Sequence, residues 1–102
     1  MPEIEVSIVR ITDESFPIFV QCKLVDARGS EHFFVEKAPV VSEDLSAGTV
    51  LPAVGYLGCE VESEQRDSRG RVLLSVTTAR PWDIESTTGE TRFLLRPEQV
   101  RR

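Results

Sequence analysis

The sequence predicts an all-β protein, a small antiparallel barrel or compact sandwich of six to seven strands built of hairpins. Two observations carry this. Apolar residues alternate with polar ones in short blocks, the mark of half-buried strands, and no window of a dozen residues shows a 3.6-residue apolar stripe. Three turns also share one form: Asp26-Ala27-Arg28-Gly29, Asp67-Ser68-Arg69-Gly70 and Ser86-Thr87-Thr88-Gly89. In each, a polar side chain can accept turn N–H groups, and the closing glycine is free to take positive φ.

The first strand is expected around Ile4, Val6 and Ile8, which alternate with Glu3, Glu5 and Ser7. The next is expected around Val20, Cys22 and Leu24, ending at the Asp26–Gly29 turn. With a four-residue loop, Val20 pairs with Val35 and Cys22 with Phe33, all inward. Lys23 then lies opposite His32, and Gln21 opposite Phe34, all outward. Ala38 to Val54 is an excursion with Pro39 and Pro52. In it Ser42-Glu43-Asp44-Leu45 predicts one short helical turn near residues 42–47, stopped by Gly48.

Leu57, Cys59 and Val61 begin the next hairpin. A four-residue loop at Asp67–Gly70 sets Val61 against Val76 and Ser63 against Leu74. Glu60, Glu62 and Glu64 then face Thr77, Ser75 and Leu73. A three-residue loop would put Glu62 against Val76, which burial disfavours, so four is expected. The same length at Ser86–Gly89 pairs Trp82 with Phe93 and Asp83 with Arg92, an aromatic pair beside an opposite-charge pair. Residues 1–102 read as a single β domain, with 97–102 expected to fray.

Composition narrows the function classes. The 102 residues are 40% hydrophobic and 28% charged, ordinary for a folded domain. A net charge of −5 argues against nucleic acid as a partner, because phosphate tracking needs clustered positive charge. The charge is uneven: residues 1–64 hold 12 acids and 4 bases, residues 65–102 hold 5 and 8. No apolar run approaches a membrane span, and Met1-Pro2-Glu3-Ile4-Glu5 lacks the form of a signal peptide, so a cytoplasmic location and no membrane contact are expected. Cys22 and Cys59, without a CxxC spacing, are expected to be buried thiols.

Few constellations carry chemistry. The single histidine, His32, reads as an exposed strand residue with no orienting partner, and no GxSxG-like turn is present. A zinc site from Cys22, Cys59 and His32 would need side chains on opposite strand faces to converge. No catalytic residue, metal site or cofactor is therefore expected. Glu60, Glu62 and Glu64 form an acidic row that would dock a basic partner, hold a weak hard cation, or simply keep an edge charged against aggregation. Phe19 and Phe34 fall opposite the inward face of the first hairpin. They mark either a covered second face or an interface rimmed by Gln21, Lys23 and His32. Trp82 and Arg80 are candidates for a ligand-binding mouth.

The stretch from Val76 to Gly89, with the Phe33–Val41 and Gly55–Val61 blocks, resembles small uncharacterised bacterial β-domain proteins. The resemblance implies a stand-alone bacterial domain and no particular activity. The expectation is thus a non-catalytic bacterial protein acting through contact with another protein or with itself, including as a homodimer, in an accessory or immunity-type role. A small-ligand binder using the mouth near Trp82 and Arg80 is the alternative.

Overall fold

The computed structural model describes residues 1–46 and 48–102. Strands β1 (Glu3–Asp13), β2 (Phe19–Val25), β3 (Glu31–Lys37) and β4 (Ala53–Gly58) form an antiparallel sheet in the order β3-β2-β1-β4. A second sheet contains β5 (Glu60–Arg66), β6 (Val72–Thr77) and β7 (Arg92–Leu95), and the two-residue β8 (Val100–Arg101) pairs with β1. The protein is all-β, as its alternation predicts. Pairing divides the strands between two sheets, and among the described residues no ladder joins these into a closed barrel. No helix is long and apolar enough to cross a membrane among those residues.

The three turns are one device used three times. Oδ1 of Asp26 accepts from the N–H groups of Arg28 and Ser30, and Oδ1 of Asp67 from those of Arg69 and Arg71. Ser86 Oγ does the same for Thr88 and Glu90. The glycines sit at φ of 85°, 77° and 83°, in the left-handed region where a Cβ is penalised.

The expected loop length is corrected. The N–H of Asp26 donates to Ser30 O, that of Asp67 to Arg71 O and that of Ser86 to Glu90 O. Each loop therefore has three residues, with glycine last, the usual form of a type I turn closed by a left-handed residue. The consequence in the first hairpin is a one-residue slip: Cys22 pairs with Phe34, Leu24 with His32 and Val20 with Glu36. Phe34 is thus fully buried, and Val35, expected inside, is exposed.

In the second hairpin Glu64 lies opposite Leu74, the arrangement that burial had argued against. The strand then absorbs one residue at Glu62, and Val61 returns to Val76 and Glu60 to Thr77. A bulge lets two residues face one, so an unfavourable register at the turn is reset before the core is reached.

The pairing of Trp82 with Phe93 and Asp83 with Arg92 is also corrected. Phe93 pairs with Val76 and Arg92 with Thr77, on β6. Residues 78–85 instead close on themselves: Thr78 N donates to Thr91 O, Ile84 N to Thr78 O, and Thr78 Oγ1 to Ile84 O at 2.6 Å. Buried Thr78 thereby satisfies the loop backbone. Ile84 points into the core, while Trp82 remains 62% exposed.

The helical turn arrives early. Helix α1 is Ala38–Val41, with Pro39 at its second position, where a fixed φ suits the first turn. Ser42 is extended, and its Oγ accepts from Asp44 N in a local turn instead of capping a helix. Of the expected span 42–47, residue 47 lies outside the described residues.

The end of the chain is tied down where fraying was expected. Gln99 Nε2 donates to Val25 O at 2.7 Å, β8 pairs with β1, and the Arg101 guanidinium bonds Glu3 and stacks 3.6 Å above the Tyr56 ring. The core gathers Ile4, Val6, Ile8, Phe34 and Leu57 of the first sheet with Leu74, Val76, Phe93 and Leu95 of the second, and includes Val41 and Ile84. Cys22 and Cys59 are both buried free thiols. β4 and β5 are nearly continuous, the chain passing from one sheet to the other at Cys59, whose N–H donates to Pro2 O.

Candidate functional site: an acidic, tryptophan-lined cleft

The slip in the first hairpin places Glu36 on the same face as Phe34, near the end of β3. One residue beyond it the chain turns into α1, which brings Pro39 and Val40 to the same cleft. The 78–85 loop approaches from the second sheet with Trp82 and Ile84. These five residues line an open cleft of about 480 Å³. Its walls are apolar, and Glu36 is its one charged group.

Trp82 reaches this position because Gly58 lets it. A Cβ built on Gly58 would lie 2.6 Å from Cδ1 and 2.8 Å from Nε1 of the indole. The ring therefore rests on bare backbone at the end of β4. Asp83, next in the chain, holds φ at 53°, a conformation aspartate tolerates better than most residues.

Glu36 is half-buried and makes no hydrogen bond or ion pair among the described residues; burial alone pushes its carboxyl above the ordinary glutamate range. A carboxylate in apolar surroundings is costly unless a cation or donor joins it. The Trp82 indole lines the same cleft, and an aromatic face attracts cations too. Chemically, the cleft fits a positively charged group carried on an apolar stem. Among the described residues that line the cleft, Glu36 is the only titratable one.

The other sequence-selected residues lie outside this cleft. Phe34 is in the core, stacked edge-on to Phe93 at 5.6 Å, which removes it from any surface. Phe19 stays half-buried on the outer face, and Gln21 Oε1 accepts from Arg10 Nε at 2.7 Å.

His32 is not an exposed strand residue. Its Nε2 lies 2.8 Å from Asp26 Oδ2, its Nδ1 lies 3.0 Å from Glu90 Oε2, and its ring packs edge-on to Phe93 at 4.9 Å. Burial pushes the Asp26 carboxyl up, but the His32 ring and the Ser30 and Arg28 N–H groups outweigh it and hold Asp26 below the ordinary range. The group clamps the first hairpin to the loop before β7.

The acidic row is neutralised from within. Arg80 Nε donates to Glu60 at 2.7 Å and its Nη2 lies 3.7 Å from Glu62, which also accepts from Arg92 at 3.0 Å. Glu64 lies 3.9 Å from Arg102. Arg80 is thus a partner of the row and lies outside the Trp82 cleft lining.

Sequence reasoning missed Glu36 and Val40, although a three-residue loop would have turned Glu36 inward. It also passed over Phe16, almost fully exposed in the β1–β2 loop. Comparison with protein-family models, curated proteins and solved structures returns no match.

Proposed function

We propose that this chain is a non-catalytic bacterial protein of the cytoplasm that acts by contact with another protein, in an accessory or immunity-type role. The Glu36–Trp82 cleft is its docking point, and the partner supplies a lysine or arginine side chain. The observation that carries this is Glu36, a half-buried carboxylate without a cation among the described residues, lining the same otherwise apolar cleft as an exposed tryptophan. Aromatic anchors ringed by apolar contacts are where interface energy concentrates. Glu43 and Asp44, just beyond α1, extend the negative charge toward the same partner.

A small organic cation in the same cleft is a second reading, favoured by a cavity volume inside the range of about 300–1,000 Å³ usual for ligand pockets.

Trp82 is the only tryptophan, so its fluorescence reports the cleft alone. Short peptides presenting one lysine or arginine beside an apolar residue are titrated against the protein. Saturable changes are expected, weakened about tenfold or more in Glu36→Gln. Equal affinity in that variant, or no response to any peptide, overturns the reading. Binding of free lysine or tetramethylammonium as tightly as the peptides selects the small-cation reading instead.

A further inference from the structure

A second cavity lies away from the cleft, at the opposite end of β3. It holds about 780 Å³ between the β2–β3 turn, the β5–β6 turn and the segment after β7. Four arginines line it: Arg28, Arg66, Arg71 and Arg96. Its two acids are each committed to one of them, Asp67 to Arg71 at 2.8 Å and Glu98 to Arg96 at 3.0 Å.

The other two guanidinium groups have no carboxylate partner among the described residues. Arg66 Nη1 donates to Gly70 O at 2.7 Å, a neutral acceptor that fixes the side chain without cancelling its charge. Arg28 is bonded only through its backbone N–H, to Asp26. In a chain of net charge −5, four arginines against two acids make this cavity locally positive. Three of the guanidiniums are already held by one bond each, so less freedom is lost when the remaining N–H groups meet a ligand. Gln65 and Ser68 add neutral hydrogen-bonding groups, and Val72 and Leu94 an apolar floor.

We propose that this cavity binds a small, multiply charged oxyanion, its oxygens shared between Arg28 and Arg66 and its organic part resting on Val72 and Leu94. Guanidinium forks match the planar oxygen pairs of phosphate and carboxylate groups, and several at once favour a ligand with more than one negative charge. The site shares no lining residue with the Glu36–Trp82 cleft and stands whether or not that cleft binds a partner.

Pyrophosphate and citrate are the two probes, titrated by calorimetry and by thermal melting at constant ionic strength. A saturable response to either supports the site, and preference between them separates a phosphate from a polycarboxylate source. Arg28→Gln and Arg66→Gln, both at exposed positions, are expected to weaken binding about tenfold or more each. Arg69→Gln, next to the cavity but outside its lining, controls for general charge loss and is expected to leave affinity unchanged. The proposal is overturned by the absence of binding to both probes. It is equally overturned if Arg69→Gln weakens binding as much as Arg28→Gln, or if only long oligonucleotides bind, because then charge is being tracked without a site.

Discussion

The indole of Trp82 rests directly on Gly58, so closely that a methyl group there would come within 2.6 Å of Cδ1. Tryptophan and glycine lie 24 residues apart, on a loop of one sheet and the last position of a strand in the other. Gly58→Ala is therefore expected to push the ring outward. The cost is about 1–3 kcal/mol, the usual range for overpacking. Urea unfolding gives the loss, and a shift in the Trp82 emission maximum shows that the ring has moved. An unchanged spectrum with unchanged stability would refute the contact.

Phe34 and Phe19 separate the two possible registers of the first hairpin. With Phe34 in the core, Phe34→Ala is expected to cost about 3–5 kcal/mol. Phe19→Ala, half-buried on the outer face, is expected to cost about 1 kcal/mol. Chemical denaturation of both variants decides; equal losses would restore the outward placement of Phe34.

His32 joins two carboxylates that belong to different parts of the fold. His32→Ala is expected to lose about 1–3 kcal/mol through the broken hydrogen bonds and the lost packing on Phe93. Asp26 adds an acid dependence. Its folded-state pKa is depressed, so its stabilisation is present above the ordinary aspartate value and is lost as pH falls through the lower folded-state value. Urea midpoints from pH 6 down to pH 2 should fall less steeply in Asp26→Asn than in the parent. Parallel curves would show that Asp26 contributes nothing to acid sensitivity.

Both thiols are silenced by burial. Desolvation, with Glu36 nearby, pushes Cys22 up to about 12, and desolvation pushes Cys59 up to about 11. At pH 8 neither is expected to react with a disulfide reagent in the native protein, and both should react in urea. The raised values also mean that the fold favours the neutral thiol. That contribution is present below the ordinary thiol value and is lost as pH rises through the alkaline range. Rapid native labelling of either cysteine would contradict its burial.

Much of the fold was legible because burial on one face writes itself as alternation: Ile4, Val6 and Ile8 are all inside, as are Val20, Cys22 and Leu24. The form of the three turns was legible too, in the polar residue three positions before glycine. Their length was not, because both loop lengths use the same residues, and only the third-position glycine distinguishes them. That one-residue slip accounts for two errors together, since it turns His32 and Phe34 from the outer face to the inner, and it brings Glu36 in with them. The Glu62 bulge hid the same slip in the second hairpin by restoring the expected pairing of Val61 with Val76. The 78–85 loop could not be read locally either: its shape depends on Thr78 bonding Ile84 and Thr91, neither a neighbour in sequence.

The passage of one nearly continuous stretch through both sheets, β4 into β5 at Cys59, bears on how the molecule comes apart. Layers joined only by surface loops can peel away from each other and open one at a time. Here the shared stretch supplies a member of each sheet, and its midpoint is pinned by Pro2 and buried at Cys59. Separating the sheets requires withdrawing that stretch from one of them, which exposes the interior common to both. Loss of either sheet is thereby loss of the whole, and unfolding is expected as a single all-or-none event.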